Sequence, residues 1–133
     1  MTVATDFTLH AESPDQADVR VLLAELDDYL GGLYEPEHNH ILDVDALLAP
    51  EVNFLVVRHA GRAVGCGAAR LMPGEAATQG RPYGEIKRMY VSPACRGRRI
   101  GEQLLGELEA GLKRRGVELA LLETGDAQPE ALR

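Results

Sequence analysis

Between Glu85 and Gly101 the chain reads EIKRMYVSPACRGRRIG, and here residue types and spacing allow chemistry. Strand-forming residues run into a break at Ser92-Pro93, and the following turn opens an amphipathic helix. The first-turn amides of such a helix lack internal partners and carry partial positive charge, so they form a cradle for phosphate oxygens. Gly97 and Gly101 remove Cβ atoms where a ligand must approach the backbone closely. Arg96, Arg98 and Arg99 could add charge-assisted hydrogen bonds to a diphosphate or a ribose phosphate. The expectation is a phosphate-bearing ligand at this helix N-terminus, a solvated basic turn being the plain alternative. Neither G-x-x-x-x-G-K-S/T nor G-x-G-x-x-G occurs in the segment, which argues against a P-loop and a dinucleotide site.

A second cluster of chemistry-bearing residues runs from Tyr34 through Glu35, Glu37, His38 and His40 to Asp43. His-x-His with scattered carboxylates is common in polar loops, and no second ligand group stands out, so no metal is expected. Cys66 and Cys95 have no metal-ligand spacing and read as reduced thiols.

The chain has 133 residues, which fits one domain spanning 1–133. Its formal net charge of −7 argues against a nucleic acid partner, because phosphate contacts need a basic surface. No apolar run is long enough to span a bilayer, and the N-terminus has neither the basic start nor the apolar stretch of a secretion signal. The default expectation is a cytoplasmic protein with no membrane association.

The elements that must position the Glu85–Gly101 segment follow from periodicity. Val3 to His10 can form a strand, and Ser13-Pro14 offers an N-cap and first turn for a helix. Val19, Leu22, Leu23, Leu26 and Leu30 recur at helical spacing until Gly31-Gly32. Asp43 to Ala49 is a short helical candidate closed by Pro50. Asn53 to Arg58 and Ala63 to Met72 read as a hairpin turning at His59 to Arg62, and Pro73 to Pro82 as a loop. Gly84 to Val91 is the next strand. From Arg98 to Arg115 a helix presents Ile100, Leu104, Leu105, Leu108 and Leu112 on one face and ends at Gly116 as C′. Val117 to Glu123 is a last strand, parallel to its partner through a right-handed crossover if both join one sheet. The fold class is α/β (α+β), in the order β-α-α-β-β-β-α-β.

At the strand–helix junction the sequence resembles the GNAT superfamily of N-acetyltransferases. The family signature is an arginine or glutamine, two free positions, a glycine, a free position, and a glycine or alanine. Here the six places hold Arg96, Gly97, Arg98, Arg99, Ile100 and Gly101, with Arg99 standing where the family has its first glycine. The resemblance implies a mixed sheet flanked by helices, with acetyl-CoA between two splayed parallel strands, Lys87 to Val91 and Val117 to Glu123. It implies pantetheine contacts near Met89, Tyr90 and Val91, and pyrophosphate contacts at Arg96 to Gly101. It further implies direct attack of an amine on the thioester, a backbone amide near Met89 or Tyr90 polarising the oxygen, and Glu85 as general base, often through water. The bland reading of Glu85 is a strand-edge glutamate paired with Lys87 or Arg88. The resemblance also implies that the Tyr34–His40 loop lines the pocket of a small-molecule amine or amino acid acceptor, a solvated helix connector being the plain alternative. Relative to the family the chain looks C-terminally truncated: Thr124 to Arg133 read as the start of a further helix, and no tyrosine follows Glu123. Completion by a homo-oligomer and a non-catalytic acyl-CoA-binding module are the alternatives to a transferase.

Overall fold

The computed structural model describes residues 2–4, 7–31, 44–122 and 130–131. Their elements are β1 (Thr2–Ala4), β2 (Phe7–Ala11), α1 (Ala17–Gly31), α2 (Val44–Leu47), β3 (Val52–His59), β4 (Arg62–Met72), β5 (Tyr83–Val91), α3 (Ile100–Arg114), β6 (Ala120–Leu122) and β7 (Glu130–Ala131). The described strands form one mixed sheet in the order β1 to β7. Neighbours pair antiparallel except β5 and β6, which run parallel on either side of α3.

Alternation along the strands sends side chains to two cores. From β3, Leu55 and Val57 join Ile100, Leu104, Leu108 and Leu112 beneath α3. Phe54 and Val56 point the other way and pack with Val19, Leu22, Leu23 and Leu47 beneath α1 and α2. The α3 face is the one read from the sequence, with Leu105 only partly buried at its margin. Burial of each of these leucines stabilises the fold by about 2 kcal/mol, so Leu108→Asp, at a position with no exposure, would detach α3 from the sheet.

Several boundaries differ from the sequence reading. The expected strand Val3–His10 is two strands, with β1 antiparallel to β2. Helix α1 starts at Ala17 rather than beside Ser13, whose hydroxyl accepts the Asp15 amide in a local turn. The approach to α1 is held by Arg58 of β3, which donates to both Glu12 carboxylate oxygens (3.1 and 3.0 Å from Nε) and to Asp18 (2.6 Å). Arg58 lowers both carboxyl pKa values through these hydrogen bonds. Helix α3 starts at Ile100 because Arg99 is left-handed, with φ 61° and ψ 21°. Its C-terminus forms the expected glycine cap: Gly116 has φ 79°, its N–H donates to Lys113, and the Val117 N–H reaches back to Leu112. That cap holds Val117 against the helix, and β6 begins only at Ala120. Glu130–Ala131 pairs with β6 as a strand, where the sequence reading has a helix. Tyr34–His40 and Asp43 lie outside the described residues.

Candidate active site

Strand β5 changes character halfway along. Its first half has partners on both sides, with Gly84, Glu85 and Ile86 opposite Ala120, Leu121 and Leu122 of β6. The described β6 ladder ends there, and β5 continues to Val91. On the other side, Ala68 pairs with Lys87 and Cys66 with Tyr90, so Arg88 and Met89 together oppose Gly67 alone. This is a β-bulge, and Arg88 takes the left-handed conformation it needs, with φ 59°. For a non-glycine residue that conformation costs about 1–2 kcal/mol. Gly67 makes the bulge sterically feasible, because a Cβ there would lie 2.7 Å from Met89 Sδ and 3.1 Å from Leu108 Cδ1.

Beyond the bulge, β5 keeps its bonds to β4. The Ser92 N–H donates to the Val64 carbonyl at 2.8 Å. Strand alternation therefore turns the backbone groups of Val91, and of Met89 two residues earlier, toward the opposite edge. The Val91 carbonyl accepts there from Arg96 Nε at 2.9 Å.

The N-terminus of α3 stands beside this edge. No side chain caps it, and Gln103 N–H to Arg99 carbonyl is its first backbone bond. The amides of Ile100, Gly101 and Glu102 thus precede the helical ladder. A side-chain cap is worth about 1 kcal/mol, and leaving it out keeps these donors available to an anion. Beyond its chain neighbours and its own helix backbone, a Cβ at Gly101 would meet no atom within 4 Å, so the glycine leaves space toward the cleft rather than toward its own fold.

A cavity of about 660 Å³ joins the edge of β5 to the start of α3. Met89, Tyr90 and Val91 form its strand wall, and Arg96, Gly97, Arg99, Ile100 and Gly101 its helix wall. Arg98 is absent from it and places its guanidinium 5.7 Å from the centre of the Phe7 ring. Arg99 extends into solvent and lies 3.9 Å from Glu102. Arg96 folds back with its guanidinium 5.5 Å above the Tyr90 ring. The Tyr90 hydroxyl donates to Glu25 of α1 at 3.3 Å. Burial, then the Glu25 charge, raise its pKa and keep it protonated. Open strand edge, uncapped helix and Cβ-free approach together suit an extended amide chain ending in phosphates.

Glu85 does not line this cavity. It sits in the first half of β5, opposite Arg70 and Leu121, with its carboxylate 3.5 Å from Lys87 Nζ. Met89 lies four positions further along the strand, about 13 Å of backbone. Sequence reasoning missed Leu26 and Tyr29 of α1, Cys95 and Glu102, all of which line the cavity. The first two arrive through tertiary packing and leave no local signal. Gly67 had one: a lone glycine in a strand pattern marks a bulge or close approach.

Among the described residues no three His, Cys, Asp or Glu side chains converge as a metal site, and no helix is long and apolar enough to cross a membrane.

Comparison with known proteins agrees with this geometry. A model of the acetyltransferase (GNAT) family matches residues 19–133. An IAA acetyltransferase of Azospirillum brasilense is 47% identical over 118 residues, covering 89% of this chain and 73% of that protein. A Klebsiella pneumoniae protein named an acyl-CoA N-acyltransferase has the same fold at a TM-score of 0.69 and 33% identity, over 91% of this chain and 73% of that one. An acetyltransferase of Clostridium acetobutylicum solved with acetyl-CoA matches at a TM-score of 0.66, over 89% of this chain and 80% of that one. Its 17% identity makes that a likeness of fold alone. On these matches the chain belongs to the acetyltransferase (GNAT) family, enzymes that move an acyl group from an acyl-CoA to an amine.

Proposed function

We propose that this chain, acting as one catalytic domain, transfers an acetyl group from acetyl-CoA to a primary amine of a small molecule or amino acid. The observation that supports this most is the outward-facing backbone of Met89 and Val91 beside the uncapped start of α3. When bound, acetyl-CoA supplies an activated thioester. The amides of Gly97 to Gly101, with Arg96 beside them, hold the diphosphate by charge-assisted hydrogen bonds. The Met89 N–H polarises the acyl oxygen as negative charge develops on it, without moving at the moment of reaction. A protonated amine must lose a proton before it attacks, and Glu85 takes that proton on its carboxylate. The 13 Å or so of strand between Glu85 and Met89 means that this transfer runs through water. No covalent enzyme intermediate is needed, so Cys66 and Cys95 need not be nucleophiles. The net charge of −7 favours a cationic acceptor over an anionic one. The unpaired thiols of Cys66 and Cys95 suit a cytoplasmic setting.

The test is acetyl transfer to a panel of amines, with Glu85→Gln alongside. The substitution should leave acetyl-CoA affinity unchanged and lower turnover about 10²-fold or more below the acceptor pKa. Turnover preserved at every pH would remove Glu85 from the mechanism. Acetyl-CoA binding without transfer to any amine would leave an acyl-CoA-binding protein in place of the proposed enzyme.

A further inference from the structure

The bulge at Arg88 and Met89 is secured from both ends by side chains the acyl-transfer chemistry does not use. The Cys66 thiol, fully buried in β4, donates to the Arg88 carbonyl at 3.3 Å. Burial pushes that thiol up to about 12, so it remains a donor at any ordinary pH. The Arg88 side chain lies under α1, with Nη1 2.6 Å from Asp27 Oδ1 and Nη2 3.5 Å from the Leu23 carbonyl. Asp27 falls between Leu26 and Tyr29, the two α1 residues that line the cavity.

This arrangement is poor value as a stabilising device. It buries a guanidinium, holds a non-glycine residue at φ 59°, and leaves Arg88 Nε buried with no hydrogen-bond partner. An apolar side chain on a regular strand would avoid all three costs. What the arrangement does secure is the orientation of the peptide between Arg88 and Met89. Cys66 fixes the carbonyl of the residue before that amide, and Arg88 with Asp27 fixes the side chain. The same ion pair ties the bulge to the α1 turn that walls the cavity.

We propose that Cys66, Arg88 and Asp27 are positioning residues for acyl transfer, a clamp that aims the Met89 amide and couples the bulge to α1. The proposal rests on the reading of Met89 as the donor to the acyl oxygen. Replacing Arg88 itself risks unfolding, so the test uses its partners. Cys66→Ala removes the donor to the bulge carbonyl, and Cys66→Ser restores one. Asp27→Asn, on a half-exposed side chain, weakens the other anchor.

Cys66→Ala and Asp27→Asn should each lower kcat about tenfold while the calorimetric Kd for CoA changes less than twofold. Cys66→Ser should recover most of the loss. In the double variant the effects should be less than additive, because both anchors hold one peptide. Thermal melting provides the contrast: a purely structural role would lower Tm, leave kcat intact below it, and overturn the clamp. If the unmodified protein transferred no acetyl group, the functional reading would fail separately. The clamp would then be read from the amide ¹⁵N shifts of Met89 and Tyr90, which should move in Cys66→Ala and return in Cys66→Ser. Shifts unmoved by Cys66→Ala would refute it.

Discussion

Gly101→Val separates the binding site from the fold because the two effects have opposite signs. Gly101 is the second residue of α3, and a Cβ there finds no atom within 4 Å beyond its chain neighbours and its own helix backbone. Valine is a better helix former than glycine by a few tenths of a kcal/mol. The variant should therefore melt at the same temperature as the parent or about a degree above it. The new side chain instead fills space in the cavity that Gly101 lines. If it displaces one phosphate oxygen from one amide, a charge-assisted hydrogen bond of about 1.5–3 kcal/mol is lost. That corresponds to a 10- to 150-fold weaker Kd, roughly, at 25 °C. Calorimetric titration with CoA, on samples whose melting curves are recorded first, reads both quantities. A folded variant that binds CoA within twofold of the parent would place the diphosphate elsewhere and refute the reading of the α3 N-terminus.

Gly67→Ala should cost about 1–3 kcal/mol in urea unfolding, since its Cβ meets Met89 Sδ and Leu108 Cδ1. Turnover should fall further than stability, and an unperturbed kcat would show that Met89 can move without consequence. The Arg58 network should make folding acid-sensitive. Folded Glu12 and Asp18 titrate below their ordinary values of 4.5 and 3.8, so their contribution is present above those values and lost as pH falls through the depressed ones. Arg58→Met should flatten the fall in stability below about pH 4.5, and an unchanged acid limb in circular dichroism would contradict the assignment. Iodoacetamide should label Cys95, which lines the cavity, and spare buried Cys66. CoA should slow that labelling, and mass spectra showing equal rates with and without CoA would take Cys95 out of the bound footprint.

The local parts of the site were legible in the sequence because helix ends and strand patterns are written in adjacent residues. The α3 stripe, its Gly116 cap and the succession of strand, turn and helix start that walls the cavity all follow from neighbours along the chain. Arg98 was grouped with Arg96 and Arg99 because charge has no direction in a sequence. In the structure Phe7, far away along the chain, draws it off. Arg99 stands at the family's first glycine position. The position does require a left-handed backbone, and Arg99 adopts it with its side chain in solvent. The clamp had no signature, since Cys66, Arg88 and Asp27 meet only after three elements pack. Strand ends moved for a similar reason: the helix cap turns Val117 back to Leu112, where the sequence pattern alone reads the start of a strand, and β6 begins at Ala120.

The order of the sheet bears on how the cleft comes into being. Strands β3, β4 and β5 follow one another in the chain and pair antiparallel from Val52 to Val91, joined by a two-residue turn and a ten-residue loop. Such near-neighbour pairing has a low entropic barrier. The parallel seam between β5 and β6 must instead wait for the chain to travel through the whole of α3. One wall of the cleft can thus assemble early, while the other docks late and is the natural place for the fold to part. A ligand that bridges the β5 edge and the start of α3 fastens α3, and β6 behind it, by mass action, with about 2.7 kcal/mol at a hundredfold excess over its Kd. The co-substrate then acts as a latch on the tertiary structure, and hydrogen exchange in β6 would slow more than that in β3 when it binds.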